Sequence, residues 1–202
     1  KLDGGAGTDT LSFEESANGP STLELTSAGA TNFENLTGTN GAETLNGDAN
    51  ANILSGNSGA DTLNGNGGND TLYAQACCSM GGGASSTDSD DNLYGGSGND
   101  TLYGSAGDTT LDGGTGADTI YSGTGSDVIV IRAGDGGSSI TDADTIYDFT
   151  DGTDLIGMDS LTFDQLTIAQ GTGSYSSHVL VSITSSSEYV AIIQNKIGRA
   201  HV

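Results

Sequence analysis

Aliphatic residues recur along this chain at an interval of nine. From Gly95 to Val130 the sequence reads GGSGNDTLY GSAGDTTLD GGTGADTIY SGTGSDVIV, with Leu102, Leu111, Ile120 and Ile129 at the eighth place of each nine. From Gly38 to Tyr73 it reads GTNGAETLN GDANANILS GNSGADTLN GNGGNDTLY, and Leu45, Leu54, Leu63 and Leu72 fill the same place. A glycine-rich run of six followed by an x-aliphatic-x triplet predicts a tight turn and then a short strand, because glycine tolerates the positive φ angles that such a turn demands. Two nines then make one coil. The central side chain of each triplet points inward, so the aliphatics stack into two facing ladders and form a core one residue thick. The repeat therefore predicts an all-β solenoid of stacked parallel strands.

The same pattern divides the chain. Gly4 to Ser12, GGAGTDTLS, is a complete nine with Leu11 in register, so residues 1–37 are expected to be the end of a preceding roll followed by a β connector. The connector shows alternation in Thr22-Leu23-Glu24-Leu25-Thr26, continues through Phe33 and Leu36, and holds the chain's only proline, Pro20. Residues 38–73 form a first block. In residues 74–94 the pattern breaks, first with AQACCSMGGGAS and then with a degenerate nine, Ser86 to Tyr94, that keeps Asp91 and Leu93 but lacks the glycines. The second block, 95–130, starts 57 residues after the first, six nines and three, so the coil must bulge here or accommodate an inserted loop. After Val130 the nine is lost. In residues 131–196, the stretches LTFDQLTIAQ, HVLVSIT and EYVAIIQ read as strands of a hairpin or meander that caps the open end. Residues 197–202 read as a sequencing read-through and are set aside, Arg199 and His201 with them.

Composition changes the picture from packing to charge. With 33% hydrophobic residues and no Trp, a large conventional core is excluded, and 27 acids against 4 bases give a formal charge of -23. The compact state would repel itself unless cations lay between the turns. The same charge argues against nucleic acid and against anionic membrane surfaces, and no apolar run reaches the roughly twenty residues of a membrane span. Cys77 and Cys78 are adjacent, which is poor geometry for a bridge, so they are expected to be free thiols. No second Cys pair or nearby His completes a soft-metal site around them.

The sixth place of the nine carries the chemistry. It holds Asp9, Glu43, Asp61, Asp70, Asp91, Asp100, Asp118 and Asp127, against Asn52 and Thr109. Stacked turns bring each carboxylate beside that of the repeat eighteen residues on, as with Asp100 and Asp118. Carboxylates and backbone carbonyls gathered in a flexible cage are hard oxygen donors that suit Ca²⁺. Poorer calcium occupancy is expected at Glu43, which is longer, and at Asn52, which is neutral.

The phrase GGxGxD-x-aliphatic-x resembles the RTX, or haemolysin-type calcium-binding, nonapeptide of proteins exported by type I secretion systems. Nine or ten copies in two phased blocks argue against a low-complexity linker, which has no need of an aliphatic at every ninth residue. The resemblance implies a right-handed parallel β-roll with a C-terminal antiparallel β cap, binding several Ca²⁺ ions. It adds backbone carbonyl ligands to the acids: Gly56, Gly65, Gly67, Gly96, Gly98, Gly107, Gly113, Thr115, Gly116 and Thr124. IRAGDGGSSITDADTIYDFTDGTDLIGM, 131–158, resembles the segment that closes such a roll, so Asp135, Asp144 and Asp148 are expected to complete the last sites.

The function implied is a folding and export module, extracellular and bacterial, that folds on Ca²⁺ outside the cell. Its partner is the type I secretion machinery, and by itself it is expected to be a monomer. The alternative is the C-terminal part of a secreted RTX adhesin or toxin, or the tail of an RTX protease or lipase whose catalytic domain lies upstream. The chain itself is not expected to be an enzyme. His178 sits in an apolar strand with no HExxH pair, and no G-x-S-x-G elbow or phosphate loop is present. The third and fifth places form no regular Thr and Asn array, which sets ice adhesion aside.

Overall fold

The computed structural model of the protein describes residues 3–13, 22–25, 32–75 and 90–194. Pro20, the Cys77–Cys78 pair and residues 197–202, expected to be a read-through, lie outside them.

Each nine ends in a strand, because the glycines stop where an x-aliphatic-x triplet begins. In the first half these are β1 (Thr10–Ser12), β2 (Thr22–Glu24), β3 (Asn35–Thr37), β4 (Thr44–Asn46), β5 (Ile53–Ser55), β6 (Thr62–Gly67) and β7 (Thr71–Tyr73). The second half continues with β8 (Asn92–Ser97), β9 (Thr101–Tyr103), β10 (Thr110–Thr115), β11 (Thr119–Tyr121), β12 (Val128–Arg132), β13 (Asp144–Tyr147) and β14 (Leu155–Asp159). Odd strands stack in one sheet and even strands in the other, all parallel within the roll. From Leu45 to Ile129 the eighth-place side chains between the sheets are fully buried, Leu54, Leu63, Leu72, Leu102 and Ile120 all at 0% exposure, while Leu11 on the first coil is partly buried. This is the parallel β-roll that the repeat predicts.

Register is held where the sequence loses its phase. β6 pairs with β8 through Leu63↔Leu93, and β7 with β9 through Leu72↔Leu102, thirty residues apart where intact repeats pair at eighteen. The aliphatic ladder thus crosses the interruption unbroken, and the extra residues between Tyr73 and Asn92 leave the register of the coil unchanged. A slip in register would take the leucines out of the core; residues 76–89, over which a bulged coil and an inserted loop would differ, lie outside the described residues. The connector joins the coil in the same way, β1 pairing with β3 through Leu11↔Leu36 and β2 with β4 through Leu23↔Leu45.

Within the repeats three strands run to twice the expected triplet. β6, β8 and β10 run for six residues into the glycine turn, where Asn66, Gly96 and Gly114 pair across successive coils. Glycine is required there: Gly96 and Gly114 have φ of 110° and 92°, and a Cβ on either would overlap the carbonyl of the coil before. On the outer face of the odd-strand sheet the ninth-place rings of Tyr73, Tyr103, Tyr121 and Tyr147 stack at 4.8, 4.8 and 4.7 Å, the spacing of the strands themselves.

The closing segment is continuous with the roll. β15 (Leu166–Gln170) and β16 (Val179–Ile183) are antiparallel, as are β16 and β17 (Glu188–Ile193), but β17 returns parallel to β13 through Thr145↔Ile192 and so extends the odd-strand sheet. Two sequence readings are corrected here. LTFDQLTIAQ is not strand throughout: Phe163–Gln165 is a 3-10 turn in which Thr162 and Gln165 cap each other reciprocally. His178 precedes β16 instead of lying within it, its Nδ1 3.1 Å from Ser177 Oγ. Arg132, the one Lys or Arg among the described residues, clasps three rungs together: both terminal nitrogens reach Asp112 on β10, Nε lies 3.2 Å from Asp159 on β14, and Asp135 sits 3.5 Å away. Among the described residues no helix is long and apolar enough to cross a membrane.

Candidate metal centre

The sixth-place residue is the last before each strand, so its side chain turns under the glycine turn towards the neighbouring coil. There one carboxylate oxygen is used in the same way along each ladder, Glu43 apart. The N–H of Asp70 donates to Asp100 Oδ1 at 2.7 Å, that of Asp100 to Asp118 at 2.8 Å and that of Asp118 to Asp144 at 3.0 Å. On the opposite edge of the roll Glu43 donates to Asp61 at 2.8 Å, Thr109 to Asp127 at 2.9 Å and Asp127 to Asp154 at 3.1 Å. Each carboxylate is thereby pinned by the coil before it.

The second oxygen has a different fate. Oδ2 of Asp9, Asp70, Asp100, Asp118, Asp127 and Asp144 is buried with no hydrogen-bond partner. At Asp70, Asp100 and Asp118 it lies against the first-place glycine of its own turn, and a Cβ on Gly65, Gly95 or Gly113 would overlap it. Buried anionic oxygens without a donor cost several kcal/mol each unless an opposite charge reaches them, so rows of them fit a hard cation. Among the described residues no three His, Cys, Asp or Glu side chains gather, which leaves the turn carbonyls as the remaining donors. An all-oxygen set of this kind suits Ca²⁺ better than a transition metal.

Burial raises these carboxyls. It pushes Asp70 up to about 6 against the opposing Asn52 N–H, with the charge of Asp100 adding to it. It pushes Asp127 up to about 6 and Asp118 up to about 7, and it lifts Asp144 well above the carboxylate range, the charge of Asp118 adding next. A folded-state value raised above the ordinary 3.8 contributes stability that is fully present below that value and lost as pH rises through about 6 to 7. Metal-stripped protein is therefore expected to show more strand signal at pH 5 than at pH 8 by circular dichroism. Strand signal that grew with pH would contradict the burial of these groups.

The remaining candidates are placed as follows. Asp9 gives its N–H to Glu34 Oε2 at 2.8 Å. Asp91 receives the N–H of Asp61 at 2.8 Å, and Ser105 Oγ lies 3.4 Å from its other oxygen. Glu43 is folded into its own turn, where the N–H and hydroxyl of Thr39 take its two oxygens. Asp61 Oδ2 lies against Gly56, where a Cβ would meet it at 2.5 Å. The carbonyls of Gly96, Gly98 and Gly107 lie under Gly114, Gly116 and Gly125 of the next coil. Gly67 N–H reaches the Asp48 carbonyl, the Thr115 carbonyl accepts from Gly98, Thr124 N–H reaches the Ser105 carbonyl, and Gly116 N–H reaches the Asp135 carbonyl. Asp135 accepts the Arg132 N–H, and burial holds it at about 6 against that guanidinium. Asp148 is exposed, at φ 62°, and does not join the ladder.

Two ladder members escaped the sequence reading, Glu34 and Asp154. Both had a legible signal, since Glu34-Asn35-Leu36 and Asp154-Leu155-Ile156 repeat the acid-x-aliphatic order of Asp127-Val128-Ile129. A second ladder was also missed. Fifth-place side chains bond forwards, Asn69 to the N–H of Asn99 at 2.9 Å and Asn99 to that of Ala117 at 3.0 Å, while the sixth-place carboxylates bond backwards.

Residues 37–72 match the RTX calcium-binding nonapeptide repeat, in four copies, and residues 84–193 match the C-terminal domain of the peptidase M10 serralysins. No curated protein matches the sequence.

Proposed function

The chain belongs to the RTX-repeat proteins, with a serralysin-type C-terminal domain over residues 84–193, and on that premise we propose that it is the calcium-dependent folding and export module of a type I secreted protein. RTX nonapeptide repeats bind calcium, and bacterial proteins with these domains are typically secreted. The observation that carries the reading is the row of buried Oδ2 atoms with no donor at Asp70, Asp100, Asp118 and Asp144. These carboxylates, Asp127 on the other edge and the turn carbonyls around Gly96, Gly98, Gly113, Thr115 and Gly116 would hold the ions. Bound calcium supplies the positive charge between coils that the chain lacks. The protein's own part is to pin each carboxylate by the N–H of the preceding coil and to stack the aliphatic ladder beneath it. In a low-calcium cytosol such a chain stays open for export, and it closes outside. A passenger activity upstream, whether adhesin, toxin or hydrolase, is compatible with this role.

The ligand assignment is tested by two alanine variants. Asp118→Ala removes a pinned carboxylate and is expected to raise the calcium midpoint of the circular dichroism response by on the order of tenfold or more. Asn52→Ala removes a neutral amide already bonded to the Asp48 N–H at 2.8 Å and is expected to shift it little. Equal shifts from the two would contradict the assignment.

A further inference from the structure

Among the described residues the nonapeptide turns of the roll fall into two classes. In the six turns that end in Asp9, Asp61, Asp70, Asp100, Asp118 and Asp127, the second and fourth places both take positive φ, from 75° at Asn66 to 135° at Gly116. In the turns that end in Glu43, Asn52 and Thr109 neither place does. These three carry Thr39, Asp48 and Ser105 at the second place, and each side chain accepts the N–H of its own fourth place: Gly41 to Thr39 Oγ1 at 3.0 Å, Asn50 to Asp48 Oδ1 at 2.8 Å and Gly107 to Ser105 Oγ at 3.3 Å. The sixth place completes the closure. Glu43 and Asn52 accept the second-place N–H at 3.1 and 2.8 Å, and Thr109 Oγ1 donates to the Gly107 carbonyl at 3.4 Å.

Resting on the calcium reading above, we infer that the second-place residue decides whether a turn accepts a cation or seals itself with its own hydrogen bonds. A positive φ reverses the peptide that follows it, and at low cost that conformation is open to Gly and, less freely, to Asn. Among the described residues Asn57 and Asn66 are the two non-glycine second places that adopt it. A Thr, Ser or Asp there offers the backbone a local acceptor instead, which favours the right-handed turn and brings N–H groups to the interior. N–H groups repel a cation, so a carboxylate at the sixth place, as in Glu43, is not enough to make a site. The consequence is one-sided. On the edge that carries Asp70, Asp100 and Asp118 these open turns follow one another once past the sealed turn at Asn52, whereas on the opposite edge the sealed turns at Glu43 and Thr109 lie one coil before the open ones at Asp61 and Asp127.

The test counts calcium per chain by equilibrium dialysis with elemental analysis, alongside circular dichroism in saturating calcium. Ser105→Gly with Thr109→Asp is expected to bind at least one more ion than the wild type, and Thr109→Asp alone to bind none more. Conversely Asn66→Thr, at an exposed position, is expected to lose at least one ion while keeping its strand signal, which holds the test open should the double variant misfold. An unchanged count in the folded double variant, a gain from Thr109→Asp alone, or an unchanged count in Asn66→Thr would each overturn the inference. Wild-type protein that bound no calcium would instead defeat the underlying calcium reading, and the wild-type sample reports that outcome separately.

Discussion

Stripping calcium from the purified chain is expected to abolish most of its strand signal, and returning calcium to millimolar levels is expected to restore it. The carboxylates of Asp70, Asp100 and Asp118 stand in one row with a buried oxygen each, and 27 acids face 4 bases over the whole sequence. Without metal these groups must either take up protons or separate, and at neutral pH separation unwinds the coil. Binding free energy is then folding free energy. Extracellular calcium modules bind in the range of about 10⁻⁴ to 10⁻³ M, and a site at ten times its dissociation constant adds roughly 1.4 kcal/mol to the folded state. Several such sites in a stack decide whether a small roll folds. Circular dichroism in chelator at pH 7.5 checks this directly, and a spectrum indifferent to chelator would sink it. Arg132 sets the limit of the effect, since its contacts with Asp112, Asp135 and Asp159 supply a cation that no chelator removes.

Leu102→Ala is expected to cost about 2 to 5 kcal/mol in saturating calcium. Leu102 is fully buried and lies in the ladder between Leu72 and Ile120. In a core one residue deep no second layer relaxes into the cavity, so the loss falls near the full value for a large-to-small change. Against a total stability of about 5 to 15 kcal/mol, that is enough to split the roll at its middle. Urea denaturation in saturating calcium measures it, with His178→Ala, on the loop ahead of β16, as a comparison expected to stay within about half a kcal/mol. A loss below about 1 kcal/mol for Leu102→Ala would mean that the ladder is not the core.

The repeat itself was legible because it is local. A glycine turn, an acid and an aliphatic recur within nine residues, and each is dictated by what lies beside it in the chain: glycine by backbone angles, the aliphatic by alternation across a three-residue strand. From that spacing alone follow the two parallel sheets, the buried leucines and the stacking of Asp100 on Asp118. What a sixth-place oxygen finds to bond with is not local. Its partner N–H lies eighteen residues away between Asp100 and Asp118, thirty between Asp70 and Asp100, and twenty-seven between Asp127 and Asp154. The sequence therefore determined the coil, the core and the kind of ligand. Only the tertiary structure decided that the residues between Tyr73 and Asn92 leave the register intact, that Glu34 and Asp154 join the ladder while Asp148 does not, and which turns keep an unsatisfied oxygen. The reason is that hydrogen-bond closure is set by the coil stacked next door, whose distance along the chain varies with every insertion, whereas periodicity is set within the repeat.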